Sequence, residues 1–396
     1  MRQTVRTNPA ECTGCGACVS ICPKQAIVMQ PDTEGFLYPK VDGEKCISCD
    51  LCEKRCPAGR EMPEHHARLL GAQAKDEALR RQSSSGGVFT LLAREVIRRG
   101  GVVFGAAFGE NMRVEHVGAF DETELSGMRG SKYVQSDATD AIGNAVSLLK
   151  RDIPVLFSGT PCQINGLLAA LGNTKSDKLL TVDFVCHGVP SPGVFASYLV
   201  ELEKKHGSRV LAYTFRDKRL GWKNFSAVAT FENGEEHAGT QTTEPYLYGF
   251  LQNLYLRPSC HSCSQLRGER HAADITLADL WGAEKICPER DDDTGLSFVM
   301  ANTQKGRQAL EQSGMQLNAF SIGNFEGMTR ANPSLLVPVK PHEKRAAFFK
   351  RYQKHGFESE RVMKLLRGPN ATQRAMKRVL HLPIGAMRRI KNRISK

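Results

Sequence analysis

Two matching strings of four cysteines near the N-terminus constrain this chain more than any other feature. Each string has the spacing C-x-x-C-x-x-C-x-x-x-C and is followed by proline, at Pro23 and Pro57. Zinc sites use paired C-x-x-C arms with a longer spacer, which differs from three cysteines in seven residues repeated twice. Soft thiolates suit iron–sulfur clusters. We therefore interpret both strings as cluster ligands.

The spacing is the one by which bacterial-type ferredoxins hold two 4Fe–4S clusters, with the fourth cysteine of each string ligating the other cluster. This crossing predicts that cluster one is held by Cys12, Cys15, Cys18 and Cys56. It predicts that cluster two is held by Cys46, Cys49, Cys52 and Cys22. The N-terminal region is thus expected to move electrons.

Length and hydropathy indicate a soluble protein of the reducing interior of the cell. The 396 residues accommodate a small module and a larger body. The sequence contains no apolar run of eighteen residues and no signal peptide, so we expect a cytoplasmic location. Thirteen cysteines in such a chain favour thiolates over disulfides.

The net charge of +12 is concentrated at one end of the chain. Eleven basic residues and no acidic residue follow Glu360, so the first 360 residues are close to neutral. A basic segment with leucine, isoleucine and methionine fits contact with an anionic membrane surface, docking of an acidic donor such as a ferredoxin, or a solvated tail. Without interleaved aromatic residues it does not indicate nucleic-acid binding.

Apolar periodicity divides the chain into four parts and predicts an α/β fold class, α+β overall. We expect a ferredoxin-like two-cluster domain over 1–62, a helical connector over 63–82, a mixed α/β domain over 83–345 and a basic tail over 346–396. Short apolar runs followed by helical patterns predict a sheet with parallel portions. The predicted strands are 102–108, 155–157, 179–185 and 275–280, and an antiparallel hairpin turns at Asn233-Gly234.

Four further cysteines lie in the body. Cys162 and Cys186 follow predicted strands, where the ligand crevice of an open α/β sheet is found. A helix N-terminus is expected to lower the thiol pKa of Cys162. Cys260 and Cys263 form a C-x-x-C pair. Spacing alone leaves a joint four-cysteine site and buried structural cysteines equally open.

Six ordered motifs in the body resemble those of the family of coenzyme F420 hydrogenase/dehydrogenase beta subunits. The resemblance spans about 83 to 330, and a similar two-cluster module is fused to many members. The motifs are S-S-G-G-V-F-T from Ser84, G-S-K-Y-V-Q-S from Gly130, G-T-P-C-Q from Gly159, V-C-H-G-V-P from Val185, R-P-S-C-H-S-C from Arg257 and D-I-T-L-A-D-L-W-G from Asp274.

This resemblance implies FAD and a third 4Fe–4S cluster held by Cys162, Cys186, Cys260 and Cys263. Residue types agree with a flavin site, since serines cap helices and glycines allow free N–H groups to face a pyrophosphate. A lysine near the ring would stabilise the reduced anionic flavin. The implied flavin-binding residues are Ser84, Ser85, Gly86, Gly87, Lys132 and Thr160. The sequence assigns no catalytic residue.

The resulting hypothesis is an iron–sulfur flavoprotein oxidoreductase. Electrons pass between the clusters and a flavin, which exchanges hydride with coenzyme F420 or another small-molecule two-electron substrate. A ferredoxin is an expected electron donor or acceptor, and the oligomeric state is left open. The alternatives are an electron-relay subunit without its own substrate, or a component of surface-polysaccharide biosynthesis at the inner face of the membrane.

Overall fold

The protein is described from a computed structural model covering residues 5–60, 62–172, 177–265, 268, 270–323 and 325–367. Its strands are β1 (Ile27–Pro31), β2 (Leu37–Val41), β3 (Arg68–Ala74), β4 (Val102–Phe108), β5 (Val114–Ala119), β6 (Val155–Ser158), β7 (Leu179–Phe184), β8 (Val210–Asp217), β9 (Ser226–Phe231), β10 (Glu236–Thr240), β11 (Ile275–Asp279), β12 (Ser297–Ala301) and β13 (Leu317–Ser321).

Helices separate most of these strands. The α-helices are α1 (Ala17–Ser20), α2 (Leu51–Lys54), α3 (Glu77–Gln82), α4 (Val88–Arg98), α5 (Glu122–Ser126), α6 (Thr139–Lys150), α7 (Pro161–Leu171), α8 (Pro192–His206), α9 (Pro245–Leu251), α10 (Ala283–Ile286), α11 (Gln304–Gln312), α12 (Phe325–Ala331), α13 (Arg345–His355) and α14 (Ser359–Arg367). Short 3-10 helices cover Glu110–Met112, Pro258–Ser262, Pro288–Arg290, Gly314–Gln316 and Pro333–Leu335.

An eight-stranded mixed sheet forms the centre of the body, in the order β13-β3-β12-β11-β7-β6-β4-β5. The four strands β11, β7, β6 and β4 pair in parallel, and the outer pairs are antiparallel. The parallel strands are mostly buried because helices cover both faces. The predicted α/β class and its parallel portion are confirmed.

The two faces of this sheet hold separate apolar clusters. Leu91, Leu92 and other α4 residues pack on one face with Leu310 of α11. Residues of α6 and α7, among them Ile142 and Ile164, pack on the opposite face. Helices on both faces leave the ends of the strands open, so a site can form at the sheet edge where the parallel strands terminate.

The predicted helical connector over 63–82 is wrong in its first part. Residues Arg68–Ala74 form β3, which pairs with both β12 and β13 inside the main sheet. Only Glu77–Gln82 is helical, with Asp76 as its N-cap. The Ala-, Leu- and Arg-rich composition favours a helix locally, but burial between two strands outweighs that preference.

The predicted boundary of the basic tail also differs from the structure. All of α13 except its first residue, and all of α14, fall within 346–396. Yet Phe348, Phe349, Phe357 and Val362 are buried in a core shared with α8, α9 and the small sheet β10-β9-β8. The folded body therefore extends at least to Arg367. Residues 368–396 lie outside the described part of the chain.

The N-terminal module is docked on the body. Helix α1 packs against α6 and α7, and Ser20 Oγ donates a hydrogen bond to the Thr139 carbonyl at 2.7 Å. Phe36 is fully buried beside Phe349, and Glu34 forms an ion pair with Arg345 at 2.5 Å. No helix within the described ranges is long and apolar enough to cross a membrane.

Candidate iron–sulfur and cofactor site

Four cysteines from both strings surround one small cavity of the N-terminal module. Its lining includes Cys22, Cys46, Cys49 and Cys52 together with apolar residues of β1 and β2. The Cys49 side chain is exposed, and Ala26 N donates a hydrogen bond to Cys22 Sγ at 3.3 Å. This is the outermost sulfur group, named group two here, and it has the composition that the sequence assigns to cluster two.

The other four cysteines of the strings form group one, deeper in the protein. Burial, together with the nearby Cys162, Cys12 and Cys56, raises the pKa of the Cys15 thiol to about 12. The pKa of the Cys18 thiol is raised by burial and by the other three cysteines of this group. Mutual repulsion of this kind requires the four sulfurs to be close together.

The four body cysteines form group three, although 100 residues of sequence lie between the first and the last. Cys162 lies in the first turn of α7, Cys186 follows β7, and Cys260 lies in the 3-10 helix that precedes Cys263. The pKa of the Cys186 thiol is raised by burial and then by Cys260, Cys162 and Cys263. The strand ends and the 3-10 helix thus converge on one place.

Backbone N–H groups point at the sulfurs of group three. Gly188 N donates to Cys186 Sγ at 3.4 Å, and Val189 N donates to Cys260 Sγ at 3.4 Å. Hydrogen bonds to sulfur are a means by which proteins tune iron–sulfur clusters. Across the described ranges, no three His, Cys, Asp or Glu side chains converge on a single ion-sized point.

The expected low pKa of Cys162 is wrong. Burial raises the pKa of this thiol to about 11, despite its place at a helix N-terminus and a contact of 3.1 Å with Thr160 Oγ1. Desolvation of this thiolate in the protein interior outweighs the field of one helix end. A bound cation supplies the charge that makes such a thiol a ligand.

The three sulfur groups are neighbours in a row. Cys18 of group one interacts electrostatically with Cys52 of group two, and Cys15 of group one interacts with Cys162 of group three. The Cys15 side chain packs on α7 where Gly166 leaves room, since a Cβ there would lie 3.1 Å from Cys15 Sγ. The row runs from the exposed face of the module into the body.

A large cavity lies at the inner end of this row. It has a volume of about 660 Å³ and is lined by Cys186 and by residues at the carboxyl ends of β4, β6, β7 and β11. Cofactor sites of open α/β sheets occupy this edge, and their volumes fall in this range. The first turn of α4 and the start of α7 also line it, so two helix N-termini favour an anionic ligand there.

The segment Ser83–Gly87 lies at the cavity, but its polar groups differ from expectation. Ser84 Oγ contacts Ser131 Oγ at 2.8 Å, and Ser85 Oγ donates to the Leu296 carbonyl at 2.8 Å, so neither caps α4. Gly87, with φ of 83°, occupies the N-cap position instead. Gly86 packs against β3 and donates its N–H to Ser297 Oγ at 2.9 Å. Its amide is therefore not free for a phosphate.

Lys132 and Thr160 also line the cavity. Lys132 Nζ donates to the Gly127 and Arg129 carbonyls at 2.7 and 2.9 Å, and burial lowers its pKa to about 7. The Thr160 hydroxyl and backbone N–H both lie 3.0 Å from Gln163 Oε1, which fixes the start of α7. Of the two, Lys132 has a charge available to a ligand.

Sequence reasoning missed Arg216, which is buried beside the cavity. Its guanidinium donates to Asp279 Oδ2 at 2.8 Å and to the Ser84 carbonyl at 3.1 Å, and it lies over the Phe225 ring at 4.0 Å. Arg216 Nε and His116 Nδ1 are buried polar atoms at the cavity with no hydrogen-bond partner among the described residues. Nothing in the local sequence around Arg216 distinguishes it from a surface arginine of a strand.

The sulfur groups and the mixed fold define an iron–sulfur protein with an α/β domain that contains a cofactor-sized cavity at the sheet edge. Comparison with known families agrees. Residues 154–319 match the family described as the C terminus of the coenzyme F420 hydrogenase/dehydrogenase beta subunit, and residues 11–60 match the 4Fe-4S dicluster domain. Two separate parts of the chain therefore match known families, a 4Fe–4S dicluster domain near the N-terminus and the C-terminal part of coenzyme F420 hydrogenase/dehydrogenase beta subunits in the body.

Individual relatives match parts of the chain. The F subunit of the F(420)H(2) dehydrogenase of Methanosarcina mazei is 25% identical over 188 residues, covering 44% of this chain and 53% of that protein. The chain thus spans about half the length of this relative. An uncharacterized ferredoxin of Methanocaldococcus jannaschii is 40% identical over 67 residues, 17% of this chain and 80% of that protein.

A solved structure of the F420-reducing NiFe hydrogenase complex from Methanosarcina barkeri is similar to this chain with a TM-score of 0.47 and 16% identity. The alignment covers 77% of this chain and 92% of that chain.

Proposed function

We propose that this protein is an iron–sulfur flavoprotein oxidoreductase with three 4Fe–4S clusters and one FAD. The observation that carries the proposal is Cys186, which belongs to sulfur group three and also lines the cofactor-sized cavity. A cluster ligand in the wall of that cavity gives electrons a direct way to a ligand bound there. The bound clusters would supply single-electron steps, and the flavin would couple them to a two-electron hydride exchange.

The chemistry of the sulfur groups supports the cluster assignment. Each group has four cysteines and buried or hydrogen-bonded sulfurs. Groups one, two and three would hold Cys12, Cys15, Cys18 and Cys56, then Cys22, Cys46, Cys49 and Cys52, then Cys162, Cys186, Cys260 and Cys263. Raised thiol pKa values mean that iron must displace protons when it binds, so cluster assembly is expected to release protons.

The charges that line the cavity, and two buried polar atoms there without hydrogen-bond partners, support FAD as the proposed ligand. The N-terminus of α4 and the Lys132 ammonium favour a pyrophosphate or an anionic reduced ring. Of the two atoms without a hydrogen-bond partner, Arg216 Nε is a donor and His116 Nδ1 is an acceptor. His116 Nδ1 is an acceptor because the ring proton is on Nε2, which lies 2.8 Å from the Ser158 carbonyl. Burial lowers the pKa of His116 to about 4, so this imidazole is neutral at physiological pH.

Coenzyme F420 is the two-electron substrate that the family points to. An electron donor or acceptor such as a ferredoxin would dock at group two, where Cys49 is exposed and Val28 and Ile47 expose half or more of their side chains. Exposed apolar residues around a redox centre suit a transient interface. The row of sulfur groups would then connect this face to the cavity.

Cofactor content and electron transfer test the proposal. Anaerobically reconstituted protein should hold about twelve iron atoms, since each of three clusters has four, and one FAD. Flavin reduced by dithionite should be reoxidised by F420, with NAD(P)⁺ and ferredoxin as the comparison acceptors. About twelve irons without flavin would favour an electron-relay subunit instead. About eight irons without flavin would favour a relay with only two clusters.

The variant Cys260→Ser isolates the third cluster. It should lose about four irons while the N-terminal pair remains, because a serine oxygen is a poorer ligand for the soft iron–sulfur core. Cys287→Ala is the matched control, since Cys287 is buried in an apolar cluster outside the three groups. Equal iron contents for Cys260→Ser and the unmodified protein would reject a cluster at group three.

A further inference from the structure

We infer that Arg257 is a positioning residue for electron transfer, whose guanidinium is shared between cluster one and the third cluster and raises the reduction potentials of both. The inference rests on the proposed occupancy of groups one and three. The buried Arg257 side chain would thereby make cluster one and the third cluster easier to reduce than cluster two, which lies at the outer end of the row.

Arg257 is fully buried yet has no acidic partner among the residues that the structure describes. Its Nε donates to the Cys12 carbonyl at 2.9 Å and one terminal nitrogen donates to Gln135 Oε1 at 2.9 Å. The rest of its surroundings are aromatic, with the guanidinium 4.1 Å from the Tyr38 ring centroid and 5.6 Å from that of Phe36. Buried charges are normally paired or bound to a metal site.

Besides the aromatic rings, Arg257 contacts cluster ligands of groups one and three through its side chain and its backbone. Its second terminal nitrogen lies 3.7 Å from Cys12 Sγ. Its own backbone carbonyl accepts from Cys260 N at 3.0 Å, as the first turn of the 3-10 helix that carries Cys260. Burial raises the pKa of the Cys162 and Cys260 thiols, and the Arg257 charge opposes that rise at both. One guanidinium therefore contacts a sulfur of group one and acts electrostatically on two thiols of group three.

The local structure is built around this side chain. Gly14 has φ of 67°, and a Cβ there would lie 2.9 Å from Arg257 Cζ. Gln135 Nε2 donates to the Thr13 carbonyl at 3.4 Å, which ties the loop of the first cysteine string to the guanidinium. The absence of a side chain at Gly14 thus allows the loop of the first cysteine string to pack directly on the Arg257 guanidinium of the body.

Electrostatics gives the cation its effect. The four thiolates of a 4Fe–4S cluster outweigh the positive charge of its core, so the cluster is an anion that becomes more negative on reduction. A fixed positive charge in a low-dielectric interior stabilises the reduced form more than the oxidised form. Arg257 is always protonated and holds its charge at every physiological pH. Group two contains none of its contacts.

Redox titration of the reconstituted protein, followed by electron paramagnetic resonance, tests the inference. In Arg257→Met the equilibrium constant for reducing cluster one and the third cluster should fall at least tenfold, which is about 59 mV for a one-electron couple. The equilibrium constant for reducing cluster two should change less than about twofold. Arg257→Lys should leave the reduction potentials of cluster one and the third cluster close to those of the unmodified protein, because lysine retains the positive charge.

A second variant protects the test against misfolding at position 257. Gln135→Glu is nearly isosteric and places a carboxylate where Arg257 now bonds, so it should lower the same two potentials while the arginine stays packed. Assembled clusters with unchanged potentials in both variants, or an equal shift of all three clusters, would overturn the inference. Iron content separates this from failure of the proposed function, which would show as fewer than about twelve irons in the unmodified protein.

Discussion

At the scale of single residues, Lys132 is the cavity residue whose pKa the fold brings into the physiological pH range. Burial lowers its pKa to about 7, so it gains a proton as the pH falls through neutrality. Its two hydrogen-bond acceptors are backbone carbonyls, which orient the ammonium without neutralising its charge. The charge is thus available to an anionic ligand below pH 7 and is lost above it.

Combined with the proposed FAD site, this behaviour predicts pH-dependent FAD binding. Between about pH 8 and pH 6 the protonated fraction of Lys132 rises from about a tenth to about nine tenths. The affinity of the apoprotein for FAD should therefore rise by up to about tenfold, which is about 1.4 kcal/mol. Equilibrium binding followed by flavin fluorescence at both pH values measures it.

Two substitutions at the same position control this prediction. Lys132→Met should bind FAD weakly with no pH dependence, and Lys132→Arg should bind tightly at both pH values. His116 is neutral throughout this range, while burial also lowers the pKa of nearby Lys218 to about 7. A pH dependence that survives in Lys132→Met and disappears in Lys218→Met would contradict the assignment to Lys132.

Functional residues could be identified from the sequence only where a known chemistry requires particular residue types at particular intervals. The cysteine strings do so, because cluster ligation fixes both residue type and interval. The Arg257 motif is visible beside Cys260, but nothing in the sequence shows that its side chain reaches back to Cys12. Arg216 has no motif at all. Both arginines acquire their roles from neighbours that are distant along the chain.

At the scale of secondary-structure elements, α7 connects the module to the cavity. Its first turn carries Cys162, and one turn further along Gly166 accommodates the Cys15 side chain from the N-terminal module. Pro161 and the Thr160–Gln163 hydrogen bonds fix where the helix begins. The position of this helix therefore sets the separation of groups one and three.

We predict that Gly166→Val disrupts cluster one. A branched side chain there would meet Cys15 Sγ, and overpacking a buried contact of this kind costs about 1–3 kcal/mol. The variant should lose about four irons. Gly143→Val in the neighbouring helix α6 is the control, because a Cβ at Gly143 has nothing within 4 Å. Equal iron contents in the two variants would contradict the role of this contact.

Element prediction succeeded where local and tertiary preferences agree. The strand 155–157 and the helix after T-P-C-Q combine an apolar run, a capping residue and proline at the first helical position, and the structure has β6 and α7 there. In β3 the two preferences disagree. Its composition favours a helix, but pairing with β12 on one side and β13 on the other places the segment inside the sheet.

At the scale of the whole molecule, the module and the C-terminal helices are joined to one core. Phe36 from the module and Phe349 from α13 are both buried in the cluster that also contains Phe195 of α8. The Arg345–Glu34 ion pair is largely buried at the same junction. The first and last parts of the described chain thus stabilise each other.

Truncation of one of these aromatic residues should weaken the whole assembly. We expect Phe349→Ala to lower the free energy of unfolding by about 3–5 kcal/mol, because it leaves a cavity beside Phe36. Leu336→Ala is the control, since Leu336 is about half exposed, and it should change stability by less than about 0.5 kcal/mol. Urea denaturation of the iron-loaded protein under anaerobic conditions, with limited proteolysis, measures both. Equal stabilities would show that α13 is not part of the core.

The sequence by itself determined the two N-terminal cysteine strings, the α/β class of the body and the family that the body resembles. Those features depend on intervals of a few residues, or on an apolar period that one element carries alone. Tertiary structure decided the order of the three sulfur groups, the pairing of Arg257 with Cys12, the loss of a free amide at Gly86 and the place of β3. Each of these depends on burial and on contacts between residues far apart in the chain, which local sequence does not encode.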